Sequence, residues 1–343
     1  MIAVDELADL IAVAHERWMP PVVEAIFGTD DPATVAATLT QAVASTLGVP
    51  VAAARFYEPG VGVVVGFELD DGRAIVAKAH RATFTTFECL AAIVGVQADL
   101  AAAGLPAPAP LVGPVALGNG WLTIEEHRGG DSADGQDPTV RRNMASTLHD
   151  FIDAARPHAH GSTIGTWLGD PVIDELWPEP HDLRFDFPGT LVGAAWIDDV
   201  ARAARTTLTT TTLPDVVGHL DWRVQNLAFA GTTVCAIYDW DSLRLVPEAA
   251  AVGAASVTYP VDWRLGQPDP LPTLDELDGF VIDYEAARGS AFSADERTVV
   301  AAAQRWVTSY GARCQHSDDV LRVFPDVDHS RGWPRLLREL LGR

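Results

Sequence analysis

His219-Leu220-Asp221-Trp222-Arg223-Val224-Gln225-Asn226 places a carboxylate two residues after a histidine and an amide five residues after that carboxylate; Asp239 follows thirteen residues later. Val216-Val217-Gly218 reads as a strand entering this stretch and Leu227-Ala228-Phe229 as a strand leaving it. Gly231-Thr232-Thr233 can turn the chain, and Val234-Cys235-Ala236-Ile237-Tyr238 then reads as the strand that delivers Asp239. A tight hairpin of this kind brings Asn226 and Asp239 to the same end of adjacent strands. The residue types suit one chemistry. A carboxylate can orient an attacking hydroxyl, while an amide oxygen and a second carboxylate can hold Mg²⁺ against phosphates. Each residue alone could be an ordinary turn residue; both spacings, with a hairpin between them, point to a site.

The second anchor is Lys78, the only lysine in 343 residues. It ends the apolar strand Arg73-Ala74-Ile75-Val76-Ala77-Lys78, which matches the V-A-I-K strand whose lysine pairs nucleotide phosphates. A compact ammonium is not interchangeable with the arginines used elsewhere in the chain. Such a lysine needs a carboxylate to hold it. Glu88 is the only glutamate between Glu68 and Glu125, and it lies on a helical pattern over 84–103. Thr85-Thr86-Phe87-Glu88 also reads as a capping box, so Glu88 serves either Lys78 or its own helix start. Gly60, Gly62 and Gly66 upstream could let backbone approach phosphates or simply build a hairpin.

The formal net charge of −23 argues against nucleic acid or an anionic membrane as partner and is compatible with a cationic substrate. Cys89, Cys235 and Cys314 are scattered and odd in number, so a disulfide framework is not expected and a reducing cytoplasm is. Neither a signal peptide nor an apolar run of membrane-spanning length is visible.

Periodicity predicts helices over 3–17 and 32–47, the second capped by Asp31 with Pro32 in its first turn. Strands follow near 51–57, 61–69, 73–79, 111–117 and 121–126, with the helix at 84–103 among them. Gly129-Gly130-Asp131 and the polar stretch to Pro138 look like a lobe boundary. Beyond it, helices are expected over 139–155, 191–208, 247–258, 273–288, 293–315 and 333–341. The threonine run Thr206–Thr212 reads as a helix end plus linker, and His158-Ala159-His160 as a loop.

With these residues in place, the chain resembles the aminoglycoside phosphotransferase family within the protein-kinase-like fold, over about residues 50–260. The resemblance rests on Lys78, the Glu88 helix running into Gly104-Leu105-Pro106-Ala107-Pro108, Trp121 to Glu126, Ala145-Ser146-Thr147-Leu148-His149, the run from His219 to Asn226, and Tyr238-Asp239-Trp240-Asp241. It implies an α+β, bilobed fold. An N-lobe over 1–127 would carry an antiparallel sheet plus a helix, with residues 1–48 as a helical extension. A mainly helical C-lobe over 128–343 would carry the catalytic β-hairpin. It implies ATP and Mg²⁺ as cofactors, with Lys78 and Glu88 at the phosphates and adenine on backbone around Glu125, Glu126 and His127. Asp221 would be the catalytic aspartate, Asn226 and Asp239 the metal ligands, and His219 and Asp241 supporting residues. Two departures stand out: Leu220 where the family usually has glycine, and Val246-Pro247-Glu248 where it tends to carry Gly-Asp-Pro and a further aspartate.

The expected reaction is phosphoryl transfer from ATP to a hydroxyl of an aminoglycoside or related amino sugar. A sugar, homoserine, choline or nucleoside acceptor, or a non-catalytic nucleotide-binding pseudokinase, are the alternatives. A regulatory protein kinase does not fit, because D-F-G and A-P-E motifs are missing. For a cationic acceptor the acidic run Asp262, Asp269, Asp275, Glu276, Asp278, Asp283 and Glu285 is the candidate grip, against the alternative of a solvated helix face. Trp222, Trp240 and Trp263 could stack on a sugar or pack in the core.

Overall fold

The structure, a computed structural model, describes residues 2–17, 21–168, 175–263, 271–323 and 332–343. The chain divides into two compact units, one of Met1–Arg128 with Pro180–Arg184, the other of Gly129–Glu179 with Phe185–Arg343.

The first unit opens with three helices, α1 (Ile2–Arg17), α2 (Pro21–Phe27) and α3 (Pro32–Leu47). Asp31 caps α3 by accepting from Thr34 N at 2.9 Å, and Gly48 ends it in the left-handed region at φ 68°. Next come β1 (Val51–Pro59), β2 (Val63–Leu69), β3 (Ala74–Arg81), α4 (Phe87–Ala102), β4 (Pro110–Leu117) and β5 (Gly120–Glu126). The strands form an antiparallel sheet in the order β1-β2-β3-β5-β4. Period-two alternation sends Val65, Phe67, Ala77, Leu122 and Ile124 into one core with Leu7 and Ile11 of α1 and Val35, Leu39 and Val43 of α3. Each Val, Leu, Ile or Phe among them contributes about 1.5–3 kcal/mol when fully buried. Helices α1, α2 and α3 therefore share this core with the sheet. Helix α4 buries Leu90, Ile93, Val96 and Leu100 and packs along β4.

The second unit is mainly helical: α5 (Pro138–Ala155), α6 (Ala195–Thr210), α7 (Glu248–Thr258), α8 (Leu274–Arg288), α9 (Ala294–Leu321) and α10 (Trp333–Leu341). Capping boxes Thr273/Glu276 and Ser293/Glu296 start α8 and α9. Helix α7 is apolar and buried along most of its length. A Cβ on its Gly253 would lie 2.5 Å from Val300 O, so glycine permits the close approach of α7 to α9. Arg313 of α9 is wholly buried; it donates to Thr190 Oγ1 at 3.0 Å and to Phe187 O, and its Nε lies 3.5 Å from Asp198 Oδ1. Between α6 and α7 lie four short strands, β6 (Asp215–His219), β7 (Leu227–Ala230), β8 (Thr233–Ile237) and β9 (Leu243–Pro247). Strands β6 and β9 pair antiparallel, as do β7 and β8. No described helix is long and apolar enough to cross a membrane.

Candidate active site

In the second unit, β6 ends on His219 and β7 leaves from Asn226. Gly231 turns the chain at φ 65°, and β8 returns with Leu227 opposite Ile237. Tyr238 N donates to Asn226 O at 2.9 Å, which closes the open end of the hairpin. Asp239 then takes φ 63°, ψ 44°, the left-handed region that a residue with a Cβ enters at a cost. That turn brings its carboxyl into hydrogen-bond contact with the carboxyl of Asp221. Asn226 Nδ2 donates to Asp221 O and to Asp221 Oδ2, each at 2.9 Å. With both amide hydrogens committed there, Asn226 Oδ1 is the atom it can offer a metal.

His219 lies beneath this cluster and is fully buried. Tyr238 O can only accept, so His219 Nε2 carries the proton and donates to it at 2.8 Å, while Nδ1 accepts from Ser242 Oγ at 3.0 Å. Burial pushes the imidazole pKa down and favours this neutral form. His219 thus ties β6 to the Asp239 turn and takes no part at the surface of the site. Trp222 packs on it edge to face, with ring centroids 5.5 Å apart.

Arg223 is a member that sequence reasoning missed. Its Nη2 lies 2.9 Å from Asp221 Oδ2. Burial alone would push the Asp221 carboxyl up; the Arg223 guanidinium, helped by hydrogen bonds from Asn226 and Asp239, holds it below the usual carboxylate range. The signal was visible as a cation two residues after the catalytic-type aspartate. Among the described residues, Arg223 Nε is buried without a hydrogen-bond partner.

Two carboxyls in contact with an amide oxygen beside them are a donor set for a hard divalent cation, since like charges at that distance call for a proton or a metal. No cluster of three or more His, Cys, Asp or Glu side chains suited to a metal occurs among the described residues. Two carboxylates and an amide oxygen suit a cation such as Mg²⁺, which takes one or two carboxylates and completes its shell with phosphate and water. Asp241 lies in the 3-10 turn Trp240–Ser242, and its carbonyl accepts from Arg244 Nη1 at 2.8 Å. Leu220 has no positive φ, so this turn does not require glycine. Glu248 is held at the start of α7 by Tyr284 OH at 2.9 Å and by Arg156 and Arg288, both at 3.1 Å. It is a structural ion-pair centre.

The tryptophans divide. Trp222 and Trp240 are buried, the latter donating from Nε1 to Ile237 O at 2.8 Å, so neither offers a ring to a sugar. Trp263 is 52% exposed. The acidic run is largely engaged internally. Glu276 caps α8, Asp278 pairs with Arg343, Asp283 with Arg141 and Glu285 with Arg297. Asp262 is buried, and Asp269 lies outside the described residues.

In the first unit, Lys78 is half-buried on β3, opposite Val64 of β2 and Thr123 of β5. A Cβ on Gly62 would stand 2.5 Å from Ala79 O and 3.7 Å from Lys78 Cε, so the β1–β2 turn needs glycine to lie against β3. Gly66 similarly makes room for the Phe56 ring. The expected capping box does not form. Helix α4 starts one residue later, with Thr86 as N-cap accepting from Cys89 N at 3.2 Å, and Glu88 is exposed in its first turn. At the end of β5, Glu126 N donates to Ala109 O at 2.9 Å and His127 N to Ala74 O at 3.0 Å. The backbone donors of those two residues are thereby committed inside the sheet. The Glu125 side chain accepts from Gln97 Nε2 of α4.

A family model described as the phosphotransferase enzyme family matches residues 60–289. No curated protein matches the chain by sequence. Among solved structures, the fold is similar to the amicoumacin kinase hAmiN in complex with AMP-PNP, Ca²⁺ and Ami, at 11% identity and TM-score 0.57, over 84% of this chain and 86% of that one. It is similar to aminoglycoside phosphotransferase APH(4)-Ia in a ternary complex with ADP and hygromycin B, at 13% identity and TM-score 0.55, over 88% and 98% of the two chains. It is also similar to an ethanolamine kinase of Plasmodium vivax, at 12% identity and TM-score 0.52, over 97% and 93%. At these identities the likeness is one of fold.

Proposed function

Because this chain belongs to the phosphotransferase enzyme family, we propose that it uses ATP and Mg²⁺ to phosphorylate a hydroxyl of a small amine-bearing acceptor, an aminoglycoside or related amino sugar. The observation that carries the reading is the cluster of Asp221, Asn226 and Asp239 at the open end of one hairpin. In this reading Asp221 orients the acceptor hydroxyl and takes its proton late in transfer. Arg223 and Asn226 fix the direction of the Asp221 carboxylate and keep it ionised. Asn226 Oδ1 and Asp239 would hold the cation, whose contribution when bound is to neutralise charge on the phosphates. Lys78 in the first unit supplies the ammonium for the α- and β-phosphates, and the end of β5 from Glu125 to His127 serves the adenine through atoms other than the Glu126 and His127 N–H groups, which are bonded within the first unit. Catalysis of this kind is positioning and charge compensation, with little covalent work for the protein.

The amine-bearing acceptor is supported by the formal net charge of −23, which raises the local concentration of cations. A second reading, a neutral hydroxyl acceptor such as a sugar or nucleoside, is favoured by the ion pairs that occupy Asp278, Asp283 and Glu285. A panel of amino sugars, amino alcohols, neutral sugars and nucleosides, read by ADP release, separates the two. Turnover concentrated among the amines is expected; turnover with neutral acceptors alone would exclude the cationic class, and no phosphorylation of any acceptor would count against the kinase reading.

A further inference from the structure

We propose that the carboxylate positioning Lys78 comes from the neighbouring strand, as Glu125 held by Gln97, and not from the helix as Glu88. The inference rests on the kinase reading of Lys78 and deepens it. Alternation along β3 sends Ile75, Ala77 and Ala79 into the core, together with Leu122 and Ile124 of β5. Val76, Lys78 and His80 therefore share the opposite face with Thr123 and Glu125. Lys78 stands opposite Thr123, and Val76 opposite Glu125. Glu125 is thus the diagonal neighbour of Lys78, at a Cβ separation of roughly 7–8 Å that two long side chains span.

The helix offers no equivalent. The buried positions of α4 are Leu90, Ile93, Val96, Gln97 and Leu100, and none is acidic. Glu88 is exposed at the second helical position, between the two members of the Thr86–Cys89 cap. Where this helix face meets the sheet it presents an amide instead. Gln97 is 3% exposed, and its Nε2 donates both to Pro108 O at 3.0 Å and to Glu125 Oε2. A neutral amide can fix a carboxylate but cannot neutralise it, and a half-buried carboxylate calls for a cation. The lysine on the same face is that cation. His80, the other basic group on this face of β3, is bonded through Nε2 to Thr123 Oγ1 at 2.9 Å. Glu125 is accordingly a positioning residue that acts through Lys78, and Gln97 sets its rotamer.

The test is a double-mutant cycle on Mg·ADP affinity in the full-length protein, using Lys78→Ala, Glu125→Gln and the double variant, with thermal melting recorded for each. Each single change should weaken binding about tenfold, and the double variant should bind no more weakly than Lys78→Ala alone, because the Glu125 effect is transmitted by the lysine. A parallel cycle with Glu88→Gln should show independent effects. Multiplying losses for Lys78 and Glu125, or coupling between Lys78 and Glu88, would overturn the assignment. Should Glu125→Gln not fold, Glu125→Asp keeps the charge, shortens the reach and enters the same cycle. A parent protein that binds no Mg·ADP would defeat the kinase reading itself. A parent that binds, loses affinity on Lys78→Ala and ignores Glu125 would defeat only this inference.

Discussion

The hairpin beside Asp221 and the β3–β5 strand pair are held in opposite ways. Around Asp221 the organising bonds are local: Asn226 reaches back five residues, Arg223 two, and His219 spans nineteen residues to Tyr238 and twenty-three to Ser242. Around Lys78 they are remote: Thr123 and Glu125 come from a strand more than forty residues away, and Gln97 from a helix between them. A local cluster sets charge with charge, so its variants should alter chemistry and pH dependence before they alter the fold. A cluster built by sheet register depends on close packing, so its variants should alter stability or nucleotide affinity first.

After Asp221 itself, the largest expected break on the hairpin side is Asp239→Ala. It removes one of two carboxylates suited to the metal and should lower kcat by about 10²–10³ while the melting temperature stays close to that of the parent. The φ of 63° at position 239 is not relieved by the change, because alanine also carries a Cβ and favours the left-handed region no more than aspartate does. Rate profiles against Mg²⁺ concentration would check it; an unchanged metal dependence would remove Asp239 from the site.

Arg223→Ala should have a smaller effect, about tenfold in kcat/KM, with a diagnostic pH signature. Asp221 has a depressed pKa and in its proposed role works ionised, so activity should be lost as pH falls through that low value. Removing the guanidinium takes away the main lowering influence, and the acid limb of the kcat/KM profile should move to higher pH. An acid limb that stays in place would show that Arg223 does not tune Asp221. On the strand side, Gly62→Ala puts a methyl 2.5 Å from Ala79 O. It should cost about 1–3 kcal/mol in denaturant unfolding and raise the KM for ATP more than it lowers kcat. A loss confined to kcat would blur the contrast between the two regions.

The same contrast explains what could be read in the sequence. The hairpin was legible because its strands, its Gly231 turn and its polar residues lie within one short stretch, where spacing stands in for geometry. Helix α3 was legible for a similar reason: Asp31, Pro32 and Gly48 mark both of its ends. Helix α2 was not, because the seven residues Pro21–Phe27 are too few to display a helical period. Helix α9 runs to Leu321, past the expected 315, since its end is a left-handed Arg322 and no glycine announces it. Thr85 and Thr86 are equally good caps on paper; the fold uses Thr86, which moves Glu88 out of the capping position. The packing of α1 and α3 under the sheet, and the Gln97–Glu125 contact, needed strand register that no local pattern carries.

The most direct measurement is the turnover of Asp221→Ala set beside its affinity for Mg·ADP. The account predicts that ADP production in the presence of acceptor falls by about three orders of magnitude or more, while Mg·ADP still binds within a few-fold of the parent affinity. Turnover near the parent rate would contradict it and would take Asp221 out of the path of the hydroxyl proton.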